Sequence, residues 1–198
     1  MGAFPRVERY LSRLPRGLDT HPECTTKASV FRVFTESRSL RHFPWEEAPP
    51  AITTLLRTPV PHSAWLPEVQ VMASILALAD HSKLSDAEAV RWFHEANASL
   101  LGNRMYRALL SLASPTHLIQ GVGARWSTFH RGTGIGMVQE GSSALATLQY
   151  PPFLYCELVA RGQGEGLRVA LSMSRAKDAE VELLHFGPRR SEYRVTWS

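Results

Sequence analysis

A chain of 198 residues and 22.1 kDa has the length of one domain, or of one domain with an extension, and two full domains would be cramped. Hydrophobic residues at 44% and charged residues at 20% exclude a disordered or highly charged chain. The net charge of +4 is spread thinly, with nine basic and six acidic side chains in residues 1–57, six and six in 58–156, and seven and six in 157–198, so no concentrated phosphate-tracking face and no nucleic-acid partner are expected.

Residues 1–26 have few apolar positions and no sustained period. They read as a poorly ordered extension with at most a short helix near 6–14, leaving residues 27–198 as a single domain. This end lacks the apolar run of a secretory signal, and the longest apolar stretch, Met72 to Ala79, is far too short to span a membrane. Cys24 and Cys156 are too few for a disulfide framework. A reducing, cytoplasmic setting is the expectation.

From Lys27 the pattern tightens. Val30, Phe31, Val33 and Phe34 suit a short strand or the first turns of a helix, and periodicity does not decide between them. Ile52, Leu55 and Leu56 after Pro49-Pro50 predict a short helix. Ser63 is placed to cap a helix through about Asp80, with Pro67 in its first turn and Val69, Met72, Ile75, Leu76 and Ala79 as the buried stripe. Ser85 and Glu88 form a capping box that opens the next helix. A third helix is expected over 103–112, and Ser114-Pro115 opens a fourth, to about Trp126.

After Arg131 the period moves towards two. Thr133 to Glu140 and Ala144 to Tyr150 read as a hairpin about the turn at Gly141. Phe153 to about Lys177 has helical composition despite Gly162, Gly164 and Gly166, so either the helix breaks there or a neighbour approaches closely. Glu180 to Phe186 and Glu192 to Trp197 form a second hairpin about Gly187-Pro188. A helical N-terminal half followed by strand-strand-helix-strand-strand is an α+β fold with an antiparallel sheet.

Catalytic signatures are weak. Gly132, Gly134 and Gly136 resemble a phosphate cradle but lead into a strand rather than a helix, so a turn entering a hairpin is the favoured reading. His21 and Cys24 lack a second ligand pair, and no metal site is expected. No serine sits in a nucleophile elbow. An enzyme is the minority reading, with His130, Arg131 and Asp80 as the residues a tertiary site would have to assemble. His117, Gly121 and Ala124 share one face of the fourth helix, and Trp126 lies on the adjacent one. That face is either an ordinary helix surface beside small residues or the edge of a pocket.

The order of elements from about Lys27 to Ser198, with the His117-Leu118-Ile119-Gln120 helix, the hairpin to Tyr150 and the terminal hairpin, resembles the superfamily of heme nitric oxide/oxygen-binding (H-NOX) domains, 4-vinyl-reductase-like sensor domains and TRAPP-type tethering subunits. More closely, Ala64-Trp65-Leu66-Pro67-Glu68, Ala79-Asp80, Trp126 through His130-Arg131-Gly132-Thr133, and Tyr193-Arg194-Val195-Thr196-Trp197 resemble a paralogous family of uncharacterised, mostly myxobacterial proteins. The wider resemblance implies an H-NOX/TRAPP-like fold and places His117 near a proximal heme ligand. It also aligns a Tyr-x-Ser-x-Arg propionate clamp on Tyr150, Pro152 and Leu154. Only the tyrosine survives, which argues against heme, and no cofactor is expected. The expectation is a non-enzymatic sensory or adaptor domain for a small apolar ligand or a protein partner, with His117, Gly121, Trp126 and Tyr150 as candidate ligand-binding residues. The alternatives are a structural interaction subunit without a cavity, or an enzyme. The resemblance also implies homodimerisation, through the Met72 to Ala79 stripe or the 103–112 helix.

Overall fold

The computed structural model describes residues 2–102, 110 and 113–198. The helix expected over 103–112 lies almost wholly outside them. Helix α1 (Pro5–Leu11) is followed by a 3₁₀ turn (Gly17–Asp19), strand β1 (Thr25–Lys27), α2 (Ala28–Glu36), α3 (Pro50–Arg57), β2 (Trp65–Pro67), α4 (Glu68–His81) and α5 (Asp86–Leu101). The second half has α6 (Pro115–Gln120), α7 (Val122–Trp126), β3 (His130–Arg131), the β4–β5 hairpin (Gly134–Glu140, Ser143–Gln149), α8 (Glu157–Ser172) and the β6–β7 hairpin (Glu180–Phe186, Arg190–Thr196). The α+β class and the segregation of helices from hairpins are as expected.

Helix α4 is the centre of the helical half. It is so apolar on every side that all of Glu68–Asp80 except Gln70 is buried, a helix apolar all round being one that belongs in a core. Helices α1, α2 and α3 pack on it. Since Met72 to Ala79 is covered from within, this stripe is not a dimer face.

The predicted start of α4 also moves. Ser63 does not cap it; Trp65–Pro67 is extended and pairs with Thr25–Lys27, with Pro67 as the N-cap residue at ψ 122°. Strand β3 adds to the other edge of β1, giving the small antiparallel sheet β2-β1-β3. Each of β1 and β2 runs directly into a helix, so the sheet fixes where α2 and α4 begin.

The short helix expected within residues 1–26 is α1, but the segment packs into the core instead of extending from it. Phe4, Val7, Tyr10 and Leu14 fall three to four residues apart, and all are buried in the core. The Arg6 backbone N–H and Nη1 bond the Asp80 carboxylate at 2.8 Å, and Nη2 reaches Leu84 O and Asp86 at 2.7 Å. The stripe is short and interrupted by charge, which hides it from a periodicity search.

In the second half the four-stranded sheet runs β4-β5-β7-β6, antiparallel throughout. Helix α8 packs between α5 and β6, and it is unbroken. Its glycines are there for close approach: a Cβ on Gly162 would lie 2.5 Å from Phe93 Cγ, and one on Gly166 3.0 Å from Asn97 Oδ1. The capping box at Ser85 and the N-cap at Ser114 are as predicted. Ser85 and Glu88 satisfy one another's backbone, and Ser114 Oγ accepts from His117 N–H at 3.2 Å. The helix opened by Ser114 stops at Gln120, however, and restarts as α7 after Gly121.

Candidate functional site

Between α5, α8, α6, α7 and the start of α2 lies a cavity of about 580 Å³. Its wall is overwhelmingly aliphatic and aromatic, with Phe34, Ile75, Phe93, Leu118, Val159 and Leu171 among its members. The glycines at 162 and 166 are on this wall too, so the close packing of α8 on α5 shapes it. Trp126 from α7 and His130 from β3 close one side.

The structure separates the four residues expected to bind a ligand. Trp126 lines the cavity. His117 is exposed on α6, because the helix ends before its expected face can form. The space beside Gly121 is taken by Arg125, whose Nη1 donates to the carbonyls of His117 and Leu118 at 3.3 Å. This guanidinium supplies partners for the last carbonyls of α6. Tyr150 is buried elsewhere, with its hydroxyl bonded to Gly187 O at 2.9 Å and Ser191 Oγ at 2.8 Å.

Sequence reasoning missed Glu68. It is the first residue of α4, its backbone N–H donates to Cys24 O at 2.9 Å, and its side chain is fully buried. Its carboxylate accepts from the Tyr155 hydroxyl at 3.1 Å and faces His130 Nδ1 at 3.2 and 3.3 Å. The His130 ring stacks on Trp126 with centroids 4.1 Å apart and planes at 15°. Trp126 Nε1 donates to Thr133 Oγ1 at 2.9 Å. Thr133, Trp126, His130, Glu68 and Tyr155 therefore form one connected chain of contacts. A carboxylate with no solvent is tolerated only with such partners. Burial, and then Glu68, push the Tyr155 phenol well above its ordinary range, which keeps it a donor.

A signal for this chain of contacts was present. Glu68 stands in the segment Ala64 to Glu68, and Trp126, His130 and Thr133 stand in the segment 126–133, both singled out by resemblance. The β2-β1-β3 sheet brings those segments together: Arg131 lies over the Trp65 ring at 3.8 Å while His130 meets Glu68. What the sequence did not show was their pairing across β1.

The three residues held open for an enzyme do not converge. Asp80 is bound to Arg6, His130 to Glu68, and Arg131 to Trp65. Glu68 and Asp80 sit near opposite ends of α4, about 18 Å apart at 1.5 Å per residue. Gly132 adopts φ +76°, and a Cβ there would lie 2.7 Å from Cys24 Sγ, so both the backbone and the space call for glycine. It turns the chain into β4 and forms no phosphate cradle. Among the described residues no group of three or more histidine, cysteine or carboxylate side chains is placed to hold a metal ion, and no helix is long and apolar enough to cross a membrane.

No family model matches the sequence, and no curated protein matches it. Among solved structures, the fold is similar to that of a mutant H-NOX protein from K. algicida in its Fe(II) unliganded form, with a TM-score of 0.51 and 7% sequence identity over 87% of this chain and 96% of that one. At that identity the likeness is one of fold, and it supports the distant H-NOX-like architecture. The closer likeness to the mostly myxobacterial family gains no support from these comparisons.

The residues that the resemblance assigns to heme do not fit that group. His117 is outside the cavity wall and exposed. The Tyr150 hydroxyl is committed to Gly187 and Ser191, Pro152 O is bound to His21 Nε2 at 2.9 Å, and Leu154 is buried with its carbonyl on the Tyr10 hydroxyl at 2.7 Å. None of these three lines the cavity.

Proposed function

We propose that the protein is a non-enzymatic sensory domain that takes a small apolar molecule into the cavity beside Trp126. The observation that carries this reading is the cavity itself: its volume of about 580 Å³ falls within the range of small-molecule sites, and its wall is apolar with few polar groups. A structural subunit with a solid core has no need of such a space, since interiors otherwise pack to crystal-like density. The H-NOX-like fold supports the sensory part of the reading, and the dispersal of His130, Arg131 and Asp80 among separate partners supports the non-enzymatic part.

Equilibrium dialysis with naphthalene tests it. The wild-type protein is expected to bind one equivalent, and Ala170→Phe, which places a ring in the cavity from α8, is expected to weaken binding at least about tenfold. No binding by the wild type, or equal binding by the variant, contradicts the reading. It also expects no Soret band in the absorption spectrum of the purified protein, and such a band would require a different occupant.

A further inference from the structure

The polar groups of the cavity wall are few, and most have partners already. Asn97 Nδ2 donates to Phe93 O at 2.8 Å, Arg125 Nη1 to the carbonyls ending α6, and Thr128 Oγ1 to Ala124 O at 3.2 Å. The Lys27 ammonium is turned over the Trp65 ring at 5.7 Å, and Gln163 Oε1, although it has no hydrogen-bond partner among the described residues, is buried with almost no accessible surface and so is closed to a molecule in the cavity. No carboxylate lines the cavity among the described residues.

His130 is different. It lines the cavity, is 11% exposed, and has one face covered by Trp126. Its Nδ1 is held by Glu68, which fixes the ring's orientation, and its Nε2 has no hydrogen-bond partner among the described residues. A polar atom left unmatched when an apolar molecule fills the space around it costs the complex its desolvation. A ligand hydroxyl removes that cost in either protonation state of the ring, accepting from Nε2–H or donating to the bare nitrogen.

We propose that His130, positioned by Glu68, is the polar anchor of the cavity and that the ligand class is an apolar molecule bearing a single hydroxyl, an alcohol or a phenol, in preference to a pure hydrocarbon. This rests on the ligand-binding reading of the cavity and specifies its chemistry. Tyr155 and Thr133 are positioning residues: they act on Glu68 and Trp126 and do not line the cavity.

The test compares 1-naphthol with naphthalene in equilibrium dialysis against the full chain. The affinity ratio of naphthol to naphthalene is expected to fall about tenfold in His130→Phe, which keeps a ring beside Trp126 and removes Nε2. Because that variant strands the Glu68 carboxylate, the double variant Glu68→Gln/His130→Phe serves where the single one does not fold. In the wild-type protein, ¹⁵N NMR of the histidine side chains supplies a readout that needs no substitution: 1-naphthol is expected to shift His130 Nε2 and naphthalene to leave it in place. An unchanged ratio, or an Nε2 resonance indifferent to the hydroxyl, overturns the anchor while the cavity reading stands. Failure of both compounds to bind the wild type overturns the cavity reading itself, and the anchor with it.

Discussion

Gly162 and Glu68 show how single residues set this site. A methyl group on Gly162 would run into the Phe93 ring, so Gly162→Ala must push α8 away from α5 or tilt the ring. We expect a loss of about 1–3 kcal/mol, read as a lower urea midpoint with an unchanged m-value. Tyr155→Phe removes one of the two side-chain donors to a carboxylate that water does not reach. The expected loss is again about 1–3 kcal/mol, and a melting temperature within a degree of wild type would show that Glu68 does not depend on this bond. Trp126 was named from the sequence and lines the cavity, although the continuous helix that placed it is interrupted at Gly121. Glu68 was not named as a site residue, because an acidic residue in the first turn of a helix is ordinarily there for the dipole, and only the strand pairing reveals His130 and Tyr155 around it.

At the scale of elements, boundaries were legible where a second residue backs the capping signal, whereas Ser63 alone misplaced the start of α4. Ser85 with Glu88 and Ser114 with Pro115 mark the starts of α5 and α6 as observed. The end of α6 was hidden because Gly121 is compatible with either continuing or interrupting a helix, and what settles it is Arg125 folding back over the last carbonyls. Strands β1 to β3 were hidden for another reason: each is two or three residues long, below any detectable alternation, and they exist through pairing alone. The short helix expected near 6–14 is α1 (Pro5–Leu11); its burial was hidden by its charge, yet that charge ties it down. Arg6→Ala leaves the Asp80 carboxylate, 2% exposed, without its only ion-pair partner among the described residues. The expected cost is about 2 kcal/mol, accompanied by faster amide exchange in residues 5–11. Unchanged exchange there would contradict the role given to Arg6.

Over the whole molecule, the α+β class and the order of helices, hairpins and the glycine-bearing helix were legible from hydrophobic periodicity and turn residues. The cavity was not, since a hollow core and a solid one share the same apolar pattern. Burial also gives the molecule an alkaline limit. It pushes the Cys24 thiol from 9.0 up to about 12, with Glu23 and Glu68 adding to the effect, and raises the phenols of Tyr10, Tyr155 and Tyr193 above 10.0. These groups stay protonated in the folded chain at a pH where the unfolded chain has already released the protons. Stability is therefore fully present below pH 9.0, the Cys24 reference value, and falls as pH rises past 9.0 and then 10.0. Urea midpoints measured from pH 8 to 11 should decline over that interval, and a flat profile would contradict the burial of these groups.

The central claim is that the space beside Trp126 holds a ligand, and a crystal of the full chain grown with 1-bromonaphthalene tests it most directly. Anomalous scattering locates the bromine without reference to the surrounding protein. The account predicts one strong peak between α5, α7 and α8 next to Trp126. A cavity closed by its own side chains, with bromine elsewhere or nowhere, would contradict it.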